Sequence, residues 1–140
     1  MTNPPSVSRD SEGWPVLAPV FPMLADGPIR IAVRGELPKE YTQGIDAWNA
    51  AMRHHGAARF AQAAEEFLRC ASLLASKQGD AFHREYTENR GLAYQNAAIS
   101  FAQAGKVKQG LEAIKKLEKA DPACKDNLAE ALEVLTTYAE

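Results

Sequence analysis

The stretch from residue 94 to residue 122 constrains the fold of this chain more than any other part of the sequence. Small residues and larger apolar residues recur there at helical spacing, a glycine interrupts the pattern, and a proline ends it. The residues that carry this pattern are Tyr94, Ala97, Ala98, Phe101, Gly105, Val107, Gly110, Ile114, Leu117 and Pro122. The spacing predicts two antiparallel helices that cross closely and are joined by a tight turn at Gly105.

The same periodicity predicts about five helices from residue 41 onward. We expect them at about 42–56, 58–77, 81–103, 107–119 and 122–138. Their apolar residues recur every three or four positions, which is typical of helices that bury one face in a core. Gly79 and Asp80 are the expected stop and start signals between the second and third helices. The predicted fold class is therefore all-α.

The first 40 residues have a different composition. Seven of the eight prolines lie there, and because proline fixes φ and lacks an N–H, residues 1–28 cannot hold a long helix. Residues 28–35 alternate between apolar and other side chains, which predicts one short β-strand. Residues 14–24 are too apolar for a solvated tail, so we expect some of them to pack on helices of the same chain or of a second copy. The side chains expected to do so are Trp14, Val20, Phe21 and Leu24. The sequence thus predicts an extended arm at 1–40 and a helical domain at 41–140.

The helical part resembles the tetratricopeptide repeat family, which is built from antiparallel helix pairs. Residues 93–122 match one whole repeat, and Tyr94 is separated from Leu128 by 34 residues, the period of that family. The fifth helix stands where such arrays carry a cap. An earlier and looser repeat contains Trp48, 46 residues before Tyr94, and has Ala58 in place of the usual turn glycine.

This resemblance implies a non-enzymatic scaffold for protein–protein interaction. In the family, the first helix of each pair lines a groove that holds a peptide or a partner helix. The residues expected to face that groove are Asn49, Arg53, Gln95, Ile99 and Gln103. Two alternatives stay open: a homo-oligomerising structural module, such as a homodimer, and a small cytosolic chaperone for a secreted or assembled protein.

No catalytic or metal-binding motif stands out in the sequence. His54 and His55 are neighbours, and neighbouring helical residues point about 100° apart, so they do not chelate one ion together. His83 has no ligand-type residue at a chelating spacing, and no P-loop, dinucleotide fingerprint or catalytic triad motif is present. We therefore expect no enzymatic activity, no cofactor and no metal.

The cysteines and the charge indicate the environment of the chain. Two cysteines are too few for a disulfide framework, and Cys70 is expected on a buried helix face. Cys124 follows Pro122 in a first helical turn, where we expect an exposed inert thiol or, alternatively, a reactive thiol whose pKa the helix dipole lowers. A net charge of -2, the absence of a long apolar run and a start unlike a leader predict a cytoplasmic protein that binds neither nucleic acid nor membranes.

Overall fold

The computed structural model of the chain describes residues 8–9, 15–16, 22–25, 27–28, 36–75 and 82–139. The helices in these ranges are α1 (Lys39–Gly56), α2 (Phe60–Leu73), α3 (His83–Gln103), α4 (Val107–Ala120) and α5 (Lys125–Thr137), with a 3-10 turn at Pro122–Cys124 before α5. Two short strands, β1 (Ser8–Arg9) and β2 (Pro15–Val16), pair antiparallel. The prediction of an all-α fold with five helices is confirmed. The predicted strand at 28–35 lies, apart from its first residue, outside the described residues.

Two helix ends differ from the prediction. α1 begins at Lys39 rather than at residue 42, directly after Pro38, and its first turn places Tyr41 in the core. α2 ends at Leu73 rather than at residue 77, and Leu74 follows it as a fully buried side chain. The predicted stop and start signals at 79 and 80 lie outside the described residues.

Helix α3 lies at the centre of the array, in contact with α2, α4 and α5. Its residues are buried on nearly all sides from residue 86 to residue 102. The sequence predicts an amphipathic helix with one buried face, and this prediction is wrong for α3, because four of its buried residues are polar or charged. They are Asn89, Arg90, Asn96 and Ser100. Buried polar groups need hydrogen-bond partners inside the protein, and Arg90 and Asn96 find theirs in Asp121, Leu74 and Ala25.

The hairpins α1–α2 and α3–α4 turn in the same way. In each, the second residue after the first helix adopts the left-handed conformation, with φ of 60° at Ala58 and 71° at Gly105. The next backbone N–H then donates to the carbonyl five residues back, at 2.8 Å after Ala58 and 2.9 Å after Gly105. The turns therefore correspond at an offset of 47 residues (105 − 58), one more than the separation of Trp48 and Tyr94.

Replacing Ala58 with glycine is expected to stabilise the protein. The left-handed conformation costs a residue with a Cβ about 1–2 kcal/mol, whereas glycine adopts it freely. We expect urea denaturation to show a gain of about 1 kcal/mol after the entropic cost of glycine is subtracted. The control is Ala57→Gly, at φ of −94°, which should give no gain. A loss of stability in Ala58→Gly would contradict the left-handed turn.

The core extends through all five helices. Trp48 of α1 and Phe67 of α2 meet edge to face, with ring centroids 5.3 Å apart. At the other end of the array, α5 buries Leu128, Ala131 and Leu135. No helix within the described ranges is long and apolar enough to cross a membrane.

Candidate functional site

A short segment of the arm, residues 22–25, has no regular secondary structure and lies against α3. The side-chain amide of Asn96 holds its backbone: the Ala25 N–H donates to Asn96 Oδ1 at 2.9 Å, and Asn96 Nδ2 donates to the Ala25 carbonyl oxygen at 3.4 Å. Asn96 is only 1% exposed, so these bonds satisfy an amide that has lost its contact with water. The amide engages the segment through main-chain atoms alone, as a neighbouring β-strand would.

An open pocket of about 310 Å³ remains between the segment and the helices. We call the surface that lines it the α3–α5 groove. Its helical walls are Leu92, Gln95, Asn96 and Ile99 of α3 and Glu130 and Val134 of α5. Leu24 is partly buried against the core, whereas Met23 is 88% exposed. The segment therefore occupies the groove without filling it.

Two of the five predicted groove residues line this surface. Gln95 bridges to α5, where it donates to Glu130 Oε2 and accepts a bond of 2.8 Å from Asn127 Nδ2. Ile99 is 5% exposed and forms part of the apolar wall. Both side chains are thus already engaged within the chain.

The other three predicted groove residues lie elsewhere. Asn49 and Arg53 are exposed on α1. Gln103, at the end of α3, makes a hydrogen bond of 2.8 Å with His55 Nε2 of α1. This bond connects the two hairpins near their turns, so Gln103 contributes to the packing of α1 beside α3.

Of the four arm residues expected to pack on the helices, the structure describes Leu24. Trp14, Val20 and Phe21 lie outside the described residues. Leu24 packs against the helical core of its own chain, next to the backbone that Asn96 holds.

Asn96, the residue that contacts the arm most directly, is not among the predicted groove residues. A signal for it exists in the register of the two hairpins. At the offset of 47 residues given by the turns, Asn96 corresponds to Asn49, which is one of the predicted groove residues. The pairing of Trp48 with Tyr94, at 46 residues, hid that correspondence.

A second polar cluster joins the C-terminal ends of α2 and α4 to the middle of α3. Arg90 donates to the Asp121 carboxylate from Nε at 2.8 Å and from Nη2 at 3.0 Å, and from Nη1 to the Leu74 carbonyl oxygen at 3.2 Å. The Tyr94 hydroxyl also donates to Asp121, at 2.8 Å. The paired side chains of Arg90 and Asp121 are 6% and 14% exposed. These groups satisfy one another, so we interpret the cluster as a structural link between the three helices.

The cluster shifts the ionisation of its members. Burial raises the pKa of Tyr94, and its hydrogen bond to Asp121 raises that pKa further. Burial also acts to raise the pKa of Asp121, but the hydrogen bonds from Arg90 and Tyr94 outweigh it and leave that pKa lowered. The carboxylate is therefore held in its charged form.

Asp121 is expected to make the stability of the fold depend on pH in acid. An unfolded aspartate has a pKa of about 3.9, and the folded value is lower, so the stabilisation is complete above that pH and is lost as the pH falls through the folded pKa. Urea denaturation should show the wild-type protein losing more stability than Asp121→Asn between about pH 5 and pH 2. Parallel losses in the two proteins would contradict this assignment.

Both predictions for Cys124 are wrong. The residue is 1% exposed, and its thiol donates to the Thr87 carbonyl oxygen at 3.4 Å. Burial raises its pKa to about 11, with the nearby Asp121 charge acting in the same direction, so the helix dipole does not activate the thiol. Cys70 is buried as expected, and burial raises its pKa to about 12.

The described residues contain no group of three or more His, Cys, Asp and Glu side chains that could hold a metal ion. His54 accepts a hydrogen bond at 2.9 Å from Arg59 Nε. Comparison of the chain with protein-family models, with curated proteins and with solved structures found no match.

Proposed function

We propose that the chain is a non-enzymatic scaffold for protein–protein interaction that binds an extended peptide in the α3–α5 groove. The pair of hydrogen bonds between Asn96 and the main chain of Ala25 carries this proposal. Every residue except proline offers the same backbone N–H and C=O groups, so the amide can hold a segment from another protein equally well. Recognition of an extended chain through its backbone, with pockets for alternate side chains, is a recurrent mode of peptide binding.

A tetratricopeptide-like arrangement of the helices is part of the same proposal. The matching turns at Ala58 and Gly105 support it, as does the close packing around Gly110, where an added Cβ would lie 2.9 Å from the Cβ of Phe101. In such an arrangement α1 and α3 are first helices, and Asn49 and Asn96 occupy corresponding places on them. The offset of 47 residues exceeds the family period of 34, and the 21 residues of α3 account for part of the excess.

The homo-oligomerising module receives less support. Within the described residues, the exposed large apolar side chains are Met23 and Leu37. Two single side chains do not make the contiguous apolar patch that marks a self-association surface. The peptide-binding scaffold, with a cytoplasmic location, is therefore the function we favour.

Selection of peptides from a displayed random library against the full-length chain tests this function. The affinity of each selected peptide is then measured by fluorescence polarisation for two proteins that both carry Ala25→Pro, one with Asn96 intact and one with Asn96→Leu, because the arm of the wild-type protein depends on the same amide as the peptide. Leucine keeps the size of the side chain but removes both backbone hydrogen bonds, so we expect affinity to fall by at least the factor of about 2 to 12 that one hydrogen bond represents. Thermal unfolding monitored by circular dichroism verifies that the variant is folded.

The matched control is Gln109→Leu, the same type of amide-to-leucine change at an exposed position of α4. In the Ala25→Pro background, Gln109→Leu should leave the affinity for the selected peptides unchanged. Peptides that bind with equal affinity in that background whether residue 96 is asparagine or leucine would place the binding surface elsewhere. A library that yields no binders at all would contradict peptide binding by this chain.

A further inference from the structure

We infer that residues 22–25 are an exchangeable occupant of the α3–α5 groove, which an extended peptide with a larger apolar side chain displaces. This inference rests on the proposed function, since it names how that site is regulated and which partner fits it. The chain thereby carries its own competitor, and the partner gains access when the arm leaves the groove.

The hold of the groove on this segment is slight. Among the described residues, the hydrogen bonds of the segment to the helices are the two made by Asn96, and one of them is long, at 3.4 Å. Pro22 and Met23 are exposed, and Leu24 and Ala25 are only partly buried. Little buried apolar surface therefore becomes exposed to water when the segment leaves the groove.

The groove also has room that the segment does not use. The pocket of about 310 Å³ beside Leu24 is bounded by three apolar side chains, Leu92, Ile99 and Val134. A partner that places an aromatic side chain where Leu24 lies would bury more apolar surface against these walls while keeping the backbone bonds to Asn96. This difference in fit is what allows a partner to displace the segment.

The covalent connection between the segment and α1 favours the segment over a free peptide in binding the groove. Thirteen residues, 26–38, connect Ala25 to the first residue of α1. A short tether acts as a high local concentration, of the order of millimolar. The apparent affinity of an external peptide is then reduced in proportion to the fraction of molecules in which the groove is open. Weakening the segment must therefore strengthen the binding of a peptide from outside.

Ala25→Pro in the full-length chain tests the inference, because proline removes the N–H that donates to Asn96 Oδ1. Two fluorescein-labelled probes are used: a peptide with the sequence of residues 19–28 of this chain, and the same peptide carrying Leu24→Phe. Fluorescence polarisation measures their affinities. We expect Ala25→Pro to bind both probes about 2- to 12-fold more tightly than the wild type, the factor that one neutral hydrogen bond represents. The phenylalanine probe should bind more tightly than the native probe in each protein.

The control is Ala25→Ser, which changes the same side chain but keeps the N–H that donates to Asn96 Oδ1. It should bind the probes as the wild type does. Equal affinities of Ala25→Pro and the wild type would overturn self-occupancy and leave the proposed function standing, provided that library peptides still bind. If neither the probes nor library peptides bind even Ala25→Pro, the proposed function fails as well. A phenylalanine probe no tighter than the native one would overturn the assignment of the larger apolar side chain.

Discussion

Replacing Arg90 with methionine is expected to lower the free energy of unfolding by about 3–5 kcal/mol, the usual cost of removing one member of a buried ion pair. Methionine preserves most of the apolar stem but lacks the guanidinium group. The Asp121 carboxylate then loses two hydrogen bonds and the Leu74 carbonyl oxygen loses one, at a site where the two charged side chains are 6% and 14% exposed. The loss arises mainly from the charge that is left buried without a partner.

The matched control is Arg84→Met on the same helix. Arg84 pairs with Glu88 at 3.1 Å, but its side chain is 85% exposed, so the same substitution there should change stability by no more than about 0.5 kcal/mol. Urea denaturation of both variants at neutral pH gives the comparison. Adding Asp121→Leu to Arg90→Met should recover part of the loss, because it removes the unpaired carboxylate. Similar losses for Arg84→Met and Arg90→Met would show that the buried pair contributes no more than an exposed one.

The helices and their turns were predictable because their signals are local. Apolar periodicity requires only a few neighbouring residues, and it places α4 within a residue of its observed ends. Gly105 marks a turn because glycine adopts positive φ without strain, and the structure has it at 71°. Pro122 separates α4 from α5 for an equally local reason, since it cannot continue a helix.

The surroundings of α3 could not be predicted in the same way. Whether a helix lies at the centre or at the edge of an array depends on how many other helices pack against it. The apolar periodicity of the helix itself does not show that number. Arg90 would be placed on the surface by its charge, and its partner Asp121 is 31 residues further along the chain. The ion pair with Asp121 allows Arg90 to be buried, although its charge alone would predict an exposed position.

In the candidate site, too, the features with a local sequence signal were predictable, and those that depend on long-range contacts were not. The apolar composition of the arm indicated that part of it packs on helices, and Leu24 does so in the structure. The role of Asn96 depends on which backbone lies opposite it, and Ala25 is 71 residues away in the sequence. A register error of one residue was enough to select Gln95 rather than Asn96 as the counterpart of Asn49.

Replacing Gly110 with leucine is expected to lower the free energy of unfolding by about 1–3 kcal/mol, the usual cost of overpacking a core. An added Cβ would lie 2.8 Å from Leu135 Cδ2 and 2.9 Å from Phe101 Cβ. The end of the Leu135 side chain can move aside, but the Cβ of Phe101 is fixed to the backbone of α3. Helices α3 and α4 must therefore separate before any larger residue fits at Gly110.

Chemical denaturation of Gly110→Leu, Gly110→Ala and Gly56→Leu separates this steric effect from the general effect of glycine in a helix. Gly56 is also helical, but an added Cβ there meets nothing within 4 Å, so leucine at that position should leave stability unchanged or raise it slightly through helix propensity. Gly110→Ala should lose less than Gly110→Leu, because the smaller side chain requires a smaller displacement of α4. If Gly110→Leu instead matches Gly56→Leu, α3 and α4 do not approach each other at Gly110, and the close helix crossing that supports a tetratricopeptide-like arrangement is absent.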